Sequence, residues 1–268
     1  MAQEPTGATW AGAGLADIDP RLSERGPLQG VIIRDYRGAA TDISPFENDG
    51  STVKFSPLAA DGKLHPNLLG ARLVNGVWSV NPNPNLGFIF LGANTEDGGP
   101  ERNANVENDD LYVLQAHYTY DSAVIRKGKT VAFTLVESLR PAVHALEYEC
   151  PLNDPDTGEL IVGDLGDPNY FVGSQLDPTQ VDRQILLFFA KQTDAGPIYR
   201  IEPLPRVRLD DQGAKRRTKT DPDVVELTFQ LLPDPYFTIP ARDGAGVVAG
   251  FDGMWVGGSG WEALSAGS

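Results

Sequence analysis

Residues able to do chemistry are few in this sequence, and their spacing does not bring them together. His65, His117 and His144 lie far apart, none at the spacing of a metal-ligand pair and none beside a nucleophile. His117 falls in a strand-like stretch and His144 in a helical one, so each reads as a structural side chain and not as part of a triad or ligand set. No nucleophile elbow, phosphate loop or HExxH segment is present. Glycosidase chemistry needs two carboxylates across a cleft. Asp109/Asp110 and Asp210/Asp211 supply carboxylates, but neighbours in an extended strand point to opposite faces. Asp154-Pro155-Asp156-Thr157-Gly158-Glu159 invites a calcium reading, yet it lacks the third acidic position and the sixth-position glycine of an EF-hand loop. It reads as a surface turn. These residues argue against an enzyme and imply no cofactor or metal.

The elements around these residues are short and β-rich. Val106 to Glu149 reads as strand, strand, helix. An acidic run, Glu107-Asn108-Asp109-Asp110, leads into a strand from Leu111 to Tyr118. A basic turn, Arg126-Lys127-Gly128-Lys129, precedes a second strand, Thr130 to Val136, whose Val131, Phe133 and Leu135 share one face. Ser138 is placed to cap a short helix with Leu139, Val143 and Leu146 as its apolar stripe and Pro141 in its first turn. Before this unit come a strand from Leu28 to Tyr36, a short strand at Ser51 to Pro57, a hairpin turning at Asn75-Gly76, and a strand from Leu86 to Leu91. After it, Ile185–Ala190 and Ile198–Ile201 pair around Thr193-Asp194-Ala195-Gly196, and Leu204 to Leu209 continues with Arg206 and Arg208 outward. Asp210 to Asp223 is a charged loop carrying Lys215-Arg216-Arg217 and Lys219. The clearest strand follows, with Val225, Leu227, Phe229 and Leu231 on its inner face. Beyond Pro233 periodicity fades, but Tyr236, Phe237, Phe251, Trp255 and Trp261 remain; an irregular aromatic tail of this kind docks on a neighbour more often than on itself.

The 29 glycines and 21 prolines favour many short strands and turns over long helices. A net charge of −15 opposes tight binding to duplex DNA. Cys150 stands alone, so no internal disulfide framework exists and a reducing compartment is expected. No signal peptide is recognisable, and the longest apolar run, Ile185 to Ala190, is far short of the ~20 residues that cross a bilayer. The reading is mainly β: a sandwich- or barrel-like domain at 28–235 with one flanking helix, an arm at 1–27 anchored by Trp10, a surface insertion at 150–182, and a C-terminal arm at 236–268.

The acidic Val106–Asp110 segment, the two-strand unit, the Thr130–Ser138 strand and the helix together resemble the major tail tube protein of long-tailed bacteriophages, especially those of actinobacteria. Val224–Gln230 is similar to that family's penultimate strand. Gly257-Gly258-Ser259-Gly260-Trp261 is close to its Gly-Gly-Pro-Gly-Trp ending, with Ser259 where proline is usual. The resemblance covers roughly Leu91–Leu146 and Ile185–Leu264. It implies a structural virion protein forming hexameric rings that stack around a tape measure protein, their inner sheets joined into one channel for DNA ejection. Implied partners are further copies of the chain, the tape measure protein, the tail terminator, and distal tail or baseplate proteins; genomic DNA only passes through, and no membrane is bound. The implied location is the virion tail, with the host cytoplasm during assembly. Inter-subunit contacts are expected from Trp10, Tyr236, Phe237, Phe251, Trp255 and Trp261. Lys215, Arg216 and Arg217 are expected to meet an acidic patch on an adjacent subunit, with Glu107, Asp109 and Asp110 either its counterpart or facing the lumen. Two other readings stand beside it: another virion ring component, such as a tail terminator or baseplate hub, and a carbohydrate-binding β-sandwich with exposed aromatics as its platform.

Overall fold

The computed structural model describes residues 22–23, 28–74, 77–82, 84–111, 121–161, 168–176, 180–215, 218–244 and 246–266. The domain is mainly β. Its strands are β1 (Leu28–Asp35), β2 (Ala71–Val74), β3 (Val77–Val80), β4 (Ile89–Phe90), β5 (Glu101–Leu111), β6 (Asp121–Leu135), β7 (Arg183–Thr193), β8 (Gly196–Gln212), β9 (Val225–Leu231), β10 (Thr238–Pro240), β11 (Val247–Ala249) and β12 (Trp255–Gly257). Helices α1 (Pro141–Glu147) and α2 (Ser259–Ala266) complete it. The large sheet runs β4-β1-β7-β8-β9-β6-β5, with β12 also paired to β8, and every pairing is antiparallel.

This sheet is rolled. Leu91 N donates to Val31 O on β1, and two residues later Ala93 O accepts from Val136 N at the end of β6. The chain from 89 to 98 therefore bridges the two sides of the strand order, and the inner face closes around one core. Val31 and Ile33 of β1, Ile185 and Leu187 of β7, Phe133 of β6 and Phe229 of β9 lie in it, the last two rings stacked at 5.7 Å. Ala142, Val143, Ala145 and Leu146 of α1 pack against that core. A second core covers the outer face of β1, β7 and β8, where Ile32, Leu186 and Ile201 meet Ile43, Phe88 and Phe237. Burial on both faces explains the continuous apolar run Ile185–Ala190, which alternation alone does not.

Several sequence expectations hold: the apolar face of Val131, Phe133 and Leu135, the β2–β3 and β7–β8 hairpins, and the buried alternation of Val225, Leu227, Phe229 and Leu231. Others are corrected. The acidic run belongs to β5 itself, and the basic run Arg126–Lys129 lies within β6 and is not a turn. Glu107 stands opposite Arg126 in the ladder. Most of the expected strand Leu111–Tyr118 falls at 112–120, outside the described residues. Leu139 is 81% exposed and precedes α1, because Pro141 fixes the first helical position; Arg140 and not Ser138 sits at the cap. Ser51–Pro57 forms an isolated bridge, Phe46 to Val53, and no strand, while the Leu86–Leu91 strand shrinks to two residues. The insertion at 150–182 begins inside the core, with Leu152 fully buried. A second helix, α2, and three short strands order the C-terminal segment that has no periodicity in sequence.

Polar clamps close the β1–β7 ladder on both faces. Asp35 pairs directly with Arg183, and Arg34 with Gln184. Asp35 Oδ1 accepts from Arg183 Nη1 at 2.5 Å, and its Oδ2 accepts from the amides of Leu152 and Asn153. Arg183 Nη2 also donates to Cys150 O. On the other face Arg34 donates to Gln184 Oε1, Leu86 O and Thr41 O, with its guanidinium 4.3 Å above the Phe88 ring. Burial pushes the Asp35 carboxyl up against the pull of Arg183, so the pair is costly to hide. Substituting one partner alone leaves the other charge uncompensated. We predict that Asp35→Ala lowers stability by roughly 3–5 kcal/mol in urea unfolding; an unchanged midpoint would refute this role for the pair.

Candidate assembly surface

The features that could act among the described residues are edges, charges and exposed rings. Among the described residues, no group of three or more His, Cys, Asp or Glu is placed to hold a metal. No helix among them is long and apolar enough to cross a membrane.

The most prominent edge belongs to β5 and β6. Their ladder runs from Glu101 opposite Ala132 to Leu111 opposite Asp121, with an irregularity between Glu107 and Asn108. β9 pairs only with Thr130–Leu135 of β6. Residues 104–111 and 121–129 thus form a two-stranded ribbon with no third strand among the described residues, extending roughly 25 Å at ~3.3 Å per residue. Glu107, Asp109 and Asp110 lie on the β5 strand of this ribbon.

The root of the ribbon is tied to the C-terminal segment by ions. Arg102 of β5 pairs with Glu202 of β8 at 2.5 Å and also with Asp252; Lys129 of β6 reaches Asp252 at 2.6 Å. Arg200 joins Glu202 at 3.3 Å, and the Lys129 ammonium lies 5.5 Å from the Phe251 ring centre. These residues carried no sequence signal beyond an isolated aspartate in a Gly- and aromatic-rich tail. Next to them β12 adds to β8 through Trp255–Ile201, Val256–Arg200 and Gly257–Tyr199, on the side that β9 uses further along.

The Gly257–Gly260 sequence has a packing reason. Gly258 has φ +105°, and a β-carbon there would strike the Pro197 carbonyl; one on Gly260 would stand 2.5 Å from the Gly196 carbonyl. The glycines let α2 lie directly on the β7–β8 turn.

The structure separates the expected contact residues into groups. Phe237 is 1% exposed in the outer core, Phe251 packs against the inner core, and Trp255 meets Phe55 edge-on at 5.7 Å. These three are used within their own chain. Tyr236 and Trp261 keep 46% and 45% exposure. Lys215 already has a counter-charge, Glu147 of α1, at 2.5 Å. Glu107, Asp109 and Asp110 lie on β5, well apart in sequence and element from that pair. Trp10, Arg216 and Arg217 lie outside the described residues. No family model matches the chain, and no curated protein matches it in sequence.

Asp252 is the link most open to test. Asp252→Asn should lower the thermal midpoint by about 2–4 °C, the shift that roughly 1 kcal/mol gives a chain of this size. It should also speed limited proteolysis between β11 and β12. Unchanged cleavage and an unchanged midpoint would show that the ionic cluster does not hold the segment.

Proposed function

We propose that this chain is the subunit of a bacteriophage tail tube, a structural protein whose copies close into rings that stack around a tape measure protein and form the conduit for DNA ejection. The observation that carries the reading is the β5–β6 ribbon, a long extension of the sheet with outer edges unpaired among the described residues. An open edge in a monomer invites aggregation, and a closed ring turns that liability into assembly. The rolled sheet supplies a rigid wall from which such a ribbon can project. Sequence likeness gives separate support, through the Val106–Ser138 unit and the glycine ending that packs α2 on the β7–β8 turn. The net charge of −15 favours a wall that DNA passes without sticking. Tyr236 and Trp261 remain the exposed rings from the C-terminal segment available to a neighbour.

In this reading the ribbon makes assembly contacts and contributes little to the fold of the isolated subunit. Replacing residues 105–128 by an Asn-Gly turn joins Ala104 to Lys129, which are already paired. The shortened chain should keep the circular dichroism and cooperative unfolding of a folded subunit while remaining monomeric in sedimentation velocity at concentrations where the full chain forms rings or stacks. Assembly by the shortened chain equal to that of the full chain would overturn the proposal.

A further inference from the structure

Away from the ribbon, the chain leaving α1 forms a cleft with the irregular segment 170–175. Two hollows lie there and share Tyr148. One, of about 280 Å³, is lined by Ser138, His144, Glu147, Tyr148, Phe171 and Lys215 among others. The second, of about 340 Å³, is lined by Tyr148, Glu149, Ser174 and Gln175 among others.

Two independent features mark this place. Phe171 is 88% exposed and Tyr148 43%, so both rings at the lip hold apolar surface in water that a ligand could cover. Glu149 is the one non-glycine residue with positive φ among the described residues, at +53°. It follows α1, where Glu149 N donates to Leu146 O and Cys150 N to Ala145 O. Glycine fills such a left-handed helix end without strain. A carboxylate side chain is kept here despite that strain, on the wall of a hollow, and strained positions of this kind gather at ligand sites.

The lining chemistry narrows the ligand. Ser138, Ser174, Gln175 and Lys215 can donate hydrogen bonds, and Glu147 and Glu149 can accept them. Glu147 is fixed by its ion pair with Lys215. With Lys215 held by Glu147, the further carboxylates Glu149 and Asp223 oppose an anion and can accept hydrogen bonds from hydroxyls. Neither α1 nor 170–175 offers a strand edge to which an extended peptide could add. What fits is a molecule without negative charge that has apolar ring faces, many hydroxyls to donate to these carboxylates, and a repeat long enough to pass Tyr148.

We propose that these paired hollows bind a neutral oligosaccharide, with one pyranose ring stacked on Phe171 and the next unit beyond Tyr148. The site uses no ribbon residue and stands apart from the tail tube reading, since binding is measured on the free subunit. The test is isothermal titration, with saturation-transfer NMR, of the full chain against neutral di- and trisaccharides of glucose, mannose, galactose and N-acetylhexosamines, beside an uncharged peptide of similar size. At least one saccharide binds, more tightly than its monosaccharide. Phe171→Ala and Tyr148→Ala each weaken binding by about tenfold. Glu149→Gly raises the thermal midpoint while weakening binding, a separation that a purely structural glutamate would not give. The proposal is overturned if no saccharide in the panel binds, if both aromatic variants bind as tightly as the parent, or if the peptide is the ligand that Phe171→Ala loses.

Discussion

The fold depends on how one buried carboxylate is satisfied. Asp35 sits at the end of β1 with Arg183 directly across the ladder, and both are almost fully buried. Hiding two charges costs several kcal/mol each, and a well-packed apolar pair can be as stable. What the pair adds is direction. Its remaining lone pairs and protons are satisfied only if Leu152, Asn153 and Cys150 come to this point, and Asn153 in turn returns Oδ1 to the Asp35 amide and Nδ2 to Gly87 O. That places the chain after α1 against β1 and β7, and so seats α1 on the inner core. On the opposite face, Arg34 and Gln184 draw Thr41 and Leu86 to the same ladder through neutral acceptors. Two adjacent cross-strand pairs thus determine which loops cover which side of the sheet.

The consequence is a body and a projection with different physical characters. Around β1, β7 and β8 both sheet faces are covered, and the clamps make that region hard to deform. Past Lys129, β5 and β6 pair only with each other among the described residues. A polar two-stranded ribbon gains little from folding alone, so its length is most easily understood as surface kept for another molecule. The ionic cluster of Arg102, Lys129, Glu202 and Asp252 lies at the junction, where it ties the root of the ribbon to β8 and to the C-terminal segment.

Much of the body was legible in sequence because its strands obey period two against a core: Val225 to Leu231 and Val131 to Leu135 are the clearest cases. Asn75-Gly76 marked its hairpin for the same local reason. The ribbon was misread because Arg126-Lys127-Gly128-Lys129 has turn-like composition, and nothing local shows that these residues face an acidic strand. Leu139 was assigned to a helical stripe that Pro141 begins too late to include. The cluster around Asp252 joins residues 150 positions apart, which no periodicity reports. The aromatic tail was read as docking on a neighbour because its packing partners within the chain, Phe55 and Ile201, lie far back in sequence; of its rings, Tyr236 and Trp261 keep the most exposure. Tyr148 and Phe171, at the proposed sugar site, drew no notice in a region that reads as a decorated surface.

The central claim is that this chain builds a tube, and negative-stain electron microscopy of the purified protein over a concentration series tests it most directly. The account predicts rings or stacked rings with a central channel, with an axial repeat equal to that of the virion tail imaged beside them. Particles that stay monomeric at every concentration, and still do so when mixed with a tape measure protein and tail-tip initiator, would contradict it.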